Sequence, residues 1–374
     1  MTAEVAAELS WPQVHAFRLA RHHLNGRAPK KDLARVVGEI GGAQAQVMSA
    51  AELQIAVRAR CTVADVRDAL WTERSLVKTW LMRGTLHVAR SDDLPIFTAA
   101  MGKHWIQVRP SWLKFWNVSE PELRKLVDDI GDALESTPKT REQVIAAVAD
   151  GRPERIREAL SSGWGGMLKP AARNGRLCFG PSRGQNVTFV DPREWLNGWR
   201  AVDPDTAIVE VARRYLRIYG PATRRDFARW WGAWPGVVGA AWSGLKPELV
   251  TVSIEGAPKD ALASDVAEIK RARISEPVQL LPLFDPYLMG HAKRDHMVDR
   301  AYAARVSRTA GWISAVVLVE GRVTGTWTHT INDKTLRVTL APFKRMPAKV
   351  MAQVKERAAE IAKALGATRT EVRD

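Results

Sequence analysis

Pro138-Lys139-Thr140-Arg141-Glu142-Gln143-Val144 reads as a turn proline, a short polar run with an acidic or amide residue, and the apolar start of a helix. The same pattern occurs at Pro29-Lys30-Lys31-Asp32-Leu33-Ala34 and at Pro221-Ala222-Thr223-Arg224-Arg225-Asp226-Phe227-Ala228. Each resembles the approach to the second helix of a helix-turn-helix unit, and recurrence adds weight that one loose match lacks. A winged-helix unit also requires short helices followed by a hairpin. After the first stretch, Leu76 to Met82 and Thr85 to Ala89 flank Arg83-Gly84 as two strands around a tight turn. After the second, Arg176-Leu177-Cys178-Phe179 and Asn186-Val187-Thr188-Phe189-Val190 flank the loop from Gly180 to Gln185, a candidate wing. After the third, Glu248 to Ile254 supplies a strand whose partner is hard to identify.

The character changes beyond about Glu276. Ala315 to Val319, Glu320-Gly321 and Arg322 to Trp327 predict a hairpin, and Thr335 to Leu340 predicts another strand. A C-terminal helix, Ala348 to Leu365, closes the chain with Gly366 in a stop position. The expected class is α+β. It comprises tandem winged-helix modules at residues 1–130, 131–200 and 201–275, then a β-rich, mainly antiparallel region with its closing helix at 276–374.

The 374 residues, 46% hydrophobic, supply more than one core. No segment is long and apolar enough to span a membrane, and the N-terminal MTAEVAAELSWPQ lacks a basic region leading into an apolar one, so a cytoplasmic location is expected. Cys61 and Cys178 are too few and too far apart for a disulfide framework or a cysteine zinc site. Fifty-six Lys and Arg against 41 Asp and Glu give a net charge of +15, which favours a polyanionic partner such as nucleic acid or an acidic membrane surface; a well-solvated basic surface is the plainer explanation. The 15 tryptophans include rings able to stack on bases, although most are expected in cores.

Gln44 and Gln46, in Gly41-Gly42-Ala43-Gln44-Ala45-Gln46, are the leading chemical candidates. Ser49 and Glu52 have capping-box spacing, which predicts a helix from Ala50 to about Arg60 with the glutamines on its approach. If that approach is extended, Ala43, Ala45 and Val47 pack inward while both glutamines project to one side. In a helix they would diverge. The plainer alternative is that both amides satisfy backbone groups near a helix end.

These signals converge with Thr79-Trp80-Leu81-Met82-Arg83-Gly84-Thr85-Leu86-His87, Leu281-Pro282-Leu283-Phe284-Asp285-Pro286-Tyr287 and Val317 to Trp327. In that order they resemble the winged-helix DNA glycosylase family of the AlkZ/YcaQ type, from near residue 10 to beyond residue 327. The resemblance implies tandem winged helices in a C-shaped cradle around DNA and a β-rich C-terminal part. It implies excision of N-alkylated purines, notably N7-alkylguanine, by a family that includes crosslink unhookers and resistance enzymes against alkylating natural products. It assigns the catalytic glutamine-apolar-glutamine motif to Gln44, Ala45 and Gln46; relatives with Asp at the last position form another branch. Double-stranded DNA is the implied partner, with no cofactor, no protein partner and a monomeric state expected. No lysine stands out as a Schiff-base nucleophile, so a lyase step is not expected.

Further site candidates are read from position. Arg83 and His87 lie on the turn and return strand of the first proposed wing and are candidates for phosphate or lesion contact, with Lys78 beside them; His87 equally suits a buried partner of a carbonyl. His291-Ala292-Lys293-Arg294-Asp295-His296 has odd spacing for a metal and better suits a DNA-facing loop through Lys293, Arg294 and His296, or a solvated charged turn. Asp285 is a secondary active-site candidate, although Asp before Pro also suits a structural turn. Trp230, Trp231 and Trp234 are expected to fill space between modules. The Glu320-Gly321 turn either enters a DNA groove or simply closes its hairpin. The competing functions are a non-catalytic winged-helix regulator and a protein that sequesters the alkylating compound itself.

Overall fold

Two of the three recurrent helix starts close as capping boxes. Thr140 N–H donates to Gln143 Oε1 at 2.8 Å while Gln143 N–H donates to Thr140 Oγ1, opening the helix Arg141–Val148. Thr223 and Asp226 exchange the same bonds, at 3.0 and 3.2 Å, to open Arg224–Trp231. Each box satisfies two backbone donors that a helix start would otherwise leave unpaired. The first stretch differs: Pro29 leads through a 3₁₀ turn, Lys30–Asp32, into Leu33–Glu39 without a side-chain cap.

The computed structural model describes residues 5–102, 109–135, 137–163 and 165–373. Its α+β chain forms two compact units, one from the segments up to Asp68 and from Ala212 onward, the other from Ala69–Val211.

In the second unit, the helix Glu120–Leu134 precedes a short strand, Lys139–Thr140, then the helices Arg141–Val148, Glu154–Ser161 and Leu168–Arg173, then the strands Cys178–Arg183 and Asn186–Val190. The short strand pairs with Asn186–Val190, which in turn pairs with Cys178–Arg183. That is the order a winged-helix reading requires. Leu126, Ile130, Val144, Leu160 and Phe189 meet in its core. Gly180 to Arg183, expected as loop, continues the strand instead, because a register shift between Gly180 and Arg183 removes any need for an amide hydrogen at Pro181. The earlier hairpin pairs Leu76–Trp80 with Leu86–Arg90, two residues tighter on its first side than expected. A 3₁₀ turn, Met82–Gly84, takes the place of a two-residue turn, with Arg83 at φ +57°.

In the first unit, Arg224–Trp231 and Pro235–Leu245 lead into the strand Leu249–Ile254, whose missing partner is Ala257–Leu262. The two join through Glu255 and Gly256 at φ +50° and +85°, the paired left-handed geometry of a tight hairpin. Pro258, Lys259 and Asp260 hid this strand from a reading based on propensity. Val5–Leu9 joins the same sheet in parallel with Leu249–Ile254.

The C-terminal sheet has five strands: Val278–Leu281, Val316–Val319, Arg322–Asn332, Thr335–Pro342 and Arg369–Arg373. The last pairs in parallel and the others are antiparallel. The helix Ala348–Ala364 ends as expected, with Gly366 at φ +74° and Ala367 N–H bonded to Ala362 O at 2.8 Å. It does not close the chain, because the charged Arg369–Arg373 follows it as a strand. Among the described residues no helix is long and apolar enough to cross a membrane.

In the Glu320-Gly321 turn Gly321 packs inward while Glu320 is exposed. Gly321 is buried at φ +82°, Tyr287 donates to its carbonyl at 3.3 Å, and a Cβ there would lie 2.5 Å from His15 Cβ. Gly321→Ala is therefore expected to combine left-handed strain of about 1–2 kcal/mol with overpacking of about 1–3 kcal/mol. Urea unfolding measures the loss; an unchanged midpoint would contradict this packing.

Candidate active site

A glycine pair aims the candidate catalytic strand. The helix Leu33–Glu39 ends where Gly41 N–H meets Gly38 O at 3.1 Å and Gly42 N–H meets Val37 O at 3.0 Å, with both glycines at positive φ. This is a Schellman turn, and it releases the chain into the extended pair Ala43–Gln44. A side chain at Gly41 would also press on Trp230 at 3.2 Å. From there the alternation holds in part: Ala43 and Ala45 are buried and Val47 is half-buried, but Gln44, expected to project, is buried as well, and its Nε2 donates to Gln46 Oε1 at 3.2 Å. Gln44 is buried and Gln46 is exposed, so one amide is fixed and steers the other at the surface.

The anchor beneath this strand was not foreseen. Gln54, fully buried on the helix Met48–Ala56, donates its amide to Gln44 O at 3.3 Å and to Leu283 O at 2.7 Å. Arg58 Nη1 donates to Gln54 O at 2.8 Å, and its guanidinium forms a two-pronged ion pair with Asp285 at 2.6 and 2.8 Å, both side chains fully buried. Asp285 also accepts from Tyr287 N at 3.0 Å, as the cap of Pro286–Met289. Phe284, between Leu283 and Asp285, stands at φ +55°, a strained setting for an aromatic residue. Asp285 is thus committed to a turn and an ion pair, where the sequence reading had it as a secondary active-site candidate.

The expected Ser49–Glu52 capping box does not form. The helix starts earlier, at Met48 with Val47 as its cap, and buried Glu52 instead accepts Arg67 Nε at 2.6 Å. A full ion pair is stronger than a bond to a cap amide, so the carboxylate turns away.

The other candidates separate. His87 is buried and its Nδ1 lies 2.9 Å from Thr85 O; burial, reinforced by Arg83, pushes its imidazole down to about 3, so the plainer reading of this residue, a buried partner of a carbonyl, fits. Lys78 is half-buried with its ammonium 5.1 Å from the centre of the Phe179 ring, and Arg83 is half-buried on the 3₁₀ turn. Arg294 is a brace, donating to Leu288 O at 2.6 Å and to Ser307 Oγ at 3.1 Å. Lys293 is exposed. His296 joins a different group, with Arg18 Nη1 2.9 Å from its Nε2 and the Trp11 ring stacked on it at 4.2 Å. Trp230 and Trp231 are core residues of the first unit, while Trp234 is 38% exposed. Among the described residues no cluster of three or more His, Cys, Asp or Glu is placed to hold a metal ion.

The sequence model of the AlkZ-like DNA glycosylases matches residues 37–367, and the chain belongs to that family. It is similar to the interstrand DNA cross-link repair glycosylase of Streptomyces sahachiroi, 36% identical over 379 residues that cover 97% of this chain and 99% of the relative. It also superposes on the solved Streptomyces sahachiroi DNA glycosylase AlkZ with a TM-score of 0.87 at 34% identity, covering 98% of this chain and 100% of that one. The protein is a DNA glycosylase, and the regulator reading falls away.

Two outcomes follow from this geometry. Asp285→Ala strands a buried guanidinium and is expected to cost about 3–5 kcal/mol in urea unfolding; a loss below about 1 kcal/mol would contradict the anchor. The buried histidines set an acid limit. Burial first, then Arg18, holds His15 and His291 at about 3, against 6.5 ordinarily, and burial also lowers His22 and His296. Below about 6.5 the unfolded imidazoles bind protons that the native ones refuse, so stability falls as pH drops through that window. The urea midpoint is expected to be lower at about pH 5 than at about pH 7.5, and equal midpoints would refute it.

Proposed function

We propose that this glycosylase hydrolyses the N-glycosidic bond of N-alkylated purines in double-stranded DNA, N7-alkylguanine above all, with Gln44 and Gln46 as its catalytic pair. The observation that carries the reading is the 3.2 Å bond by which Gln44 fixes Gln46 at the surface. Alkylation at N7 makes the purine cationic. When the bond from C1′ to N9 breaks, its electron pair enters the purine and cancels that charge, so the base leaves neutral without strong acid catalysis. The sugar is left electron-poor at C1′, and a water oxygen supplies the new bond.

Neutral amides suit this division of labour. Gln46 Oε1 has two lone pairs, one occupied by Gln44 and the other suited to a water hydrogen, and its negative dipole end faces the developing positive charge. The amide does not ionise, so the water's proton passes to solvent. Gln46 positions the water, and Gln44 orients Gln46 and the deoxyribose edge. The cross-link repair activity in the name of the Streptomyces sahachiroi relative supports extending the substrate to bulky or cross-linked N7 adducts. Tandem DNA-binding modules in one chain make a monomer sufficient.

Single-turnover release of 7-methylguanine from labelled duplex tests the pair. Gln46→Ala is expected to slow excision roughly 10²-fold, the scale of removing one preorganised dipole, with duplex affinity unchanged. Gln44→Ala is expected to slow it as well, because Gln46 loses its orientation. Full activity in both alanine variants would remove the glutamines from the mechanism.

A further inference from the structure

A cavity of about 590 Å³ opens in the first unit, and neither catalytic glutamine lines it. Its walls carry five cations, Arg18, Arg225, Lys259, Lys293 and Arg322, against three carboxylates, Asp226, Glu255 and Asp295. Each of those carboxylates already has partners, for Asp226 and Glu255 within the wall itself. Asp226 accepts from Thr223 N, Thr223 Oγ1 and Ala292 N at 3.0, 2.7 and 2.9 Å. Asp295 pairs with Arg300 at 2.9 Å, and Glu255 accepts from Trp11 N at 3.5 Å. Across the wall Asp226 lies 4.0 Å from Lys259 Nζ and 4.0 Å from His291 Nδ1, and Arg225 and Lys293 make no ion pair among the described residues.

Arg18 is the most demanding member. It is 2% exposed and rigidly held, donating to Gly220 O at 3.3 Å and Pro221 O at 2.8 Å, with His296 Nε2 2.9 Å from Nη1. All three partners are neutral. Asp226 acts on Arg18 through space but forms no ion pair with it, so a buried guanidinium bonded only to neutral groups remains costly, and an anion in the cavity would offset that cost. The neighbouring imidazoles lie in the same positive field: Arg18 is the leading electrostatic cause of the low values at His15, His291 and His296, after burial itself, with Asp226 opposing it at His291. Trp11, stacked on His296, gives the cavity a flat aromatic wall. A lone phosphate would leave much of this volume empty, and sites of this size commonly take nucleotide-sized ligands.

We propose that this cavity is a phosphate-binding site that receives one nucleotide unit, with Arg18 as its fixed anchor and Lys259 and Arg225 completing the charge. The site does not rest on the assignment of the glutamines. The phosphate has two possible sources, a DNA strand or a free nucleotide, and the chemistry of recognition is shared.

Calorimetric titration of the full chain with dGMP and with inorganic phosphate at low salt tests the proposal. Saturable one-to-one binding of dGMP is expected, weakened about tenfold by Lys259→Ala and by Arg225→Ala, the loss of one charge-assisted contact each. Lys355→Ala, which removes an exposed lysine on the C-terminal helix, is expected to leave it unchanged. Unchanged urea midpoints in all three variants separate ligand binding from folding. If undamaged duplex displaces dGMP, and the two wall variants lose duplex affinity, the natural occupant is a strand phosphate. If duplex and dGMP bind together, it is a free nucleotide. Absence of saturable binding to the intact protein, or equal weakening by Lys355→Ala, overturns the site.

Discussion

The buried pair Arg58–Asp285 is the interaction on which the geometry of the proposed active site rests. Taken alone it is a poor source of stability, because two charges have left water for a fully enclosed setting. Its value is positional. Arg58 satisfies Asp285 with two donors and reaches Gln54 O, and Gln54 then ties the Gln44 carbonyl to Leu283. Segments more than two hundred residues apart are thereby locked at hydrogen-bond precision around one short strand. A hydrophobic core fixes volume, whereas this chain of directed bonds also fixes orientation, which catalysis by dipoles requires.

The chemistry explains why such precision is needed. A glycosylase with an ionised carboxylate can tolerate some misplacement, because a full charge acts over distance. An amide dipole falls off faster and has to be aimed. The glycine pair at 41 and 42 sets the direction of the strand, its alternation puts both amides on one side, and the bond from Gln44 sets the rotation of Gln46. The remaining driving force lies in the cationic base of the proposed substrate.

What the sequence made legible follows from local rules. The glutamines' common side came from strand alternation, the helix starts at Thr140 and Thr223 from turn chemistry, and the stop at Gly366 from its left-handed backbone. The misses have physical causes of equal clarity. Ala257–Leu262 and Arg369–Arg373 are charged or proline-bearing edge strands, held by pairing to neighbours and not by propensity. Glu52 left its capping role for a distant arginine, whereas Asp285 takes up the structural turn that Asp before Pro suits and adds an ion pair to it. Gln54 and Arg58 carry no motif, because their importance appears only once Leu283 and Asp285 arrive from the far end of the chain.

The most direct test of the account is release of 7-methylguanine from labelled duplex under single-turnover conditions, comparing the intact protein with a Gln44→Ala/Gln46→Ala double variant that binds the same duplex equally well. The account predicts release by the intact protein and a collapse of the rate in the variant. Equal rates from the two proteins, or no release of any N-alkylated purine by the intact one, would contradict it.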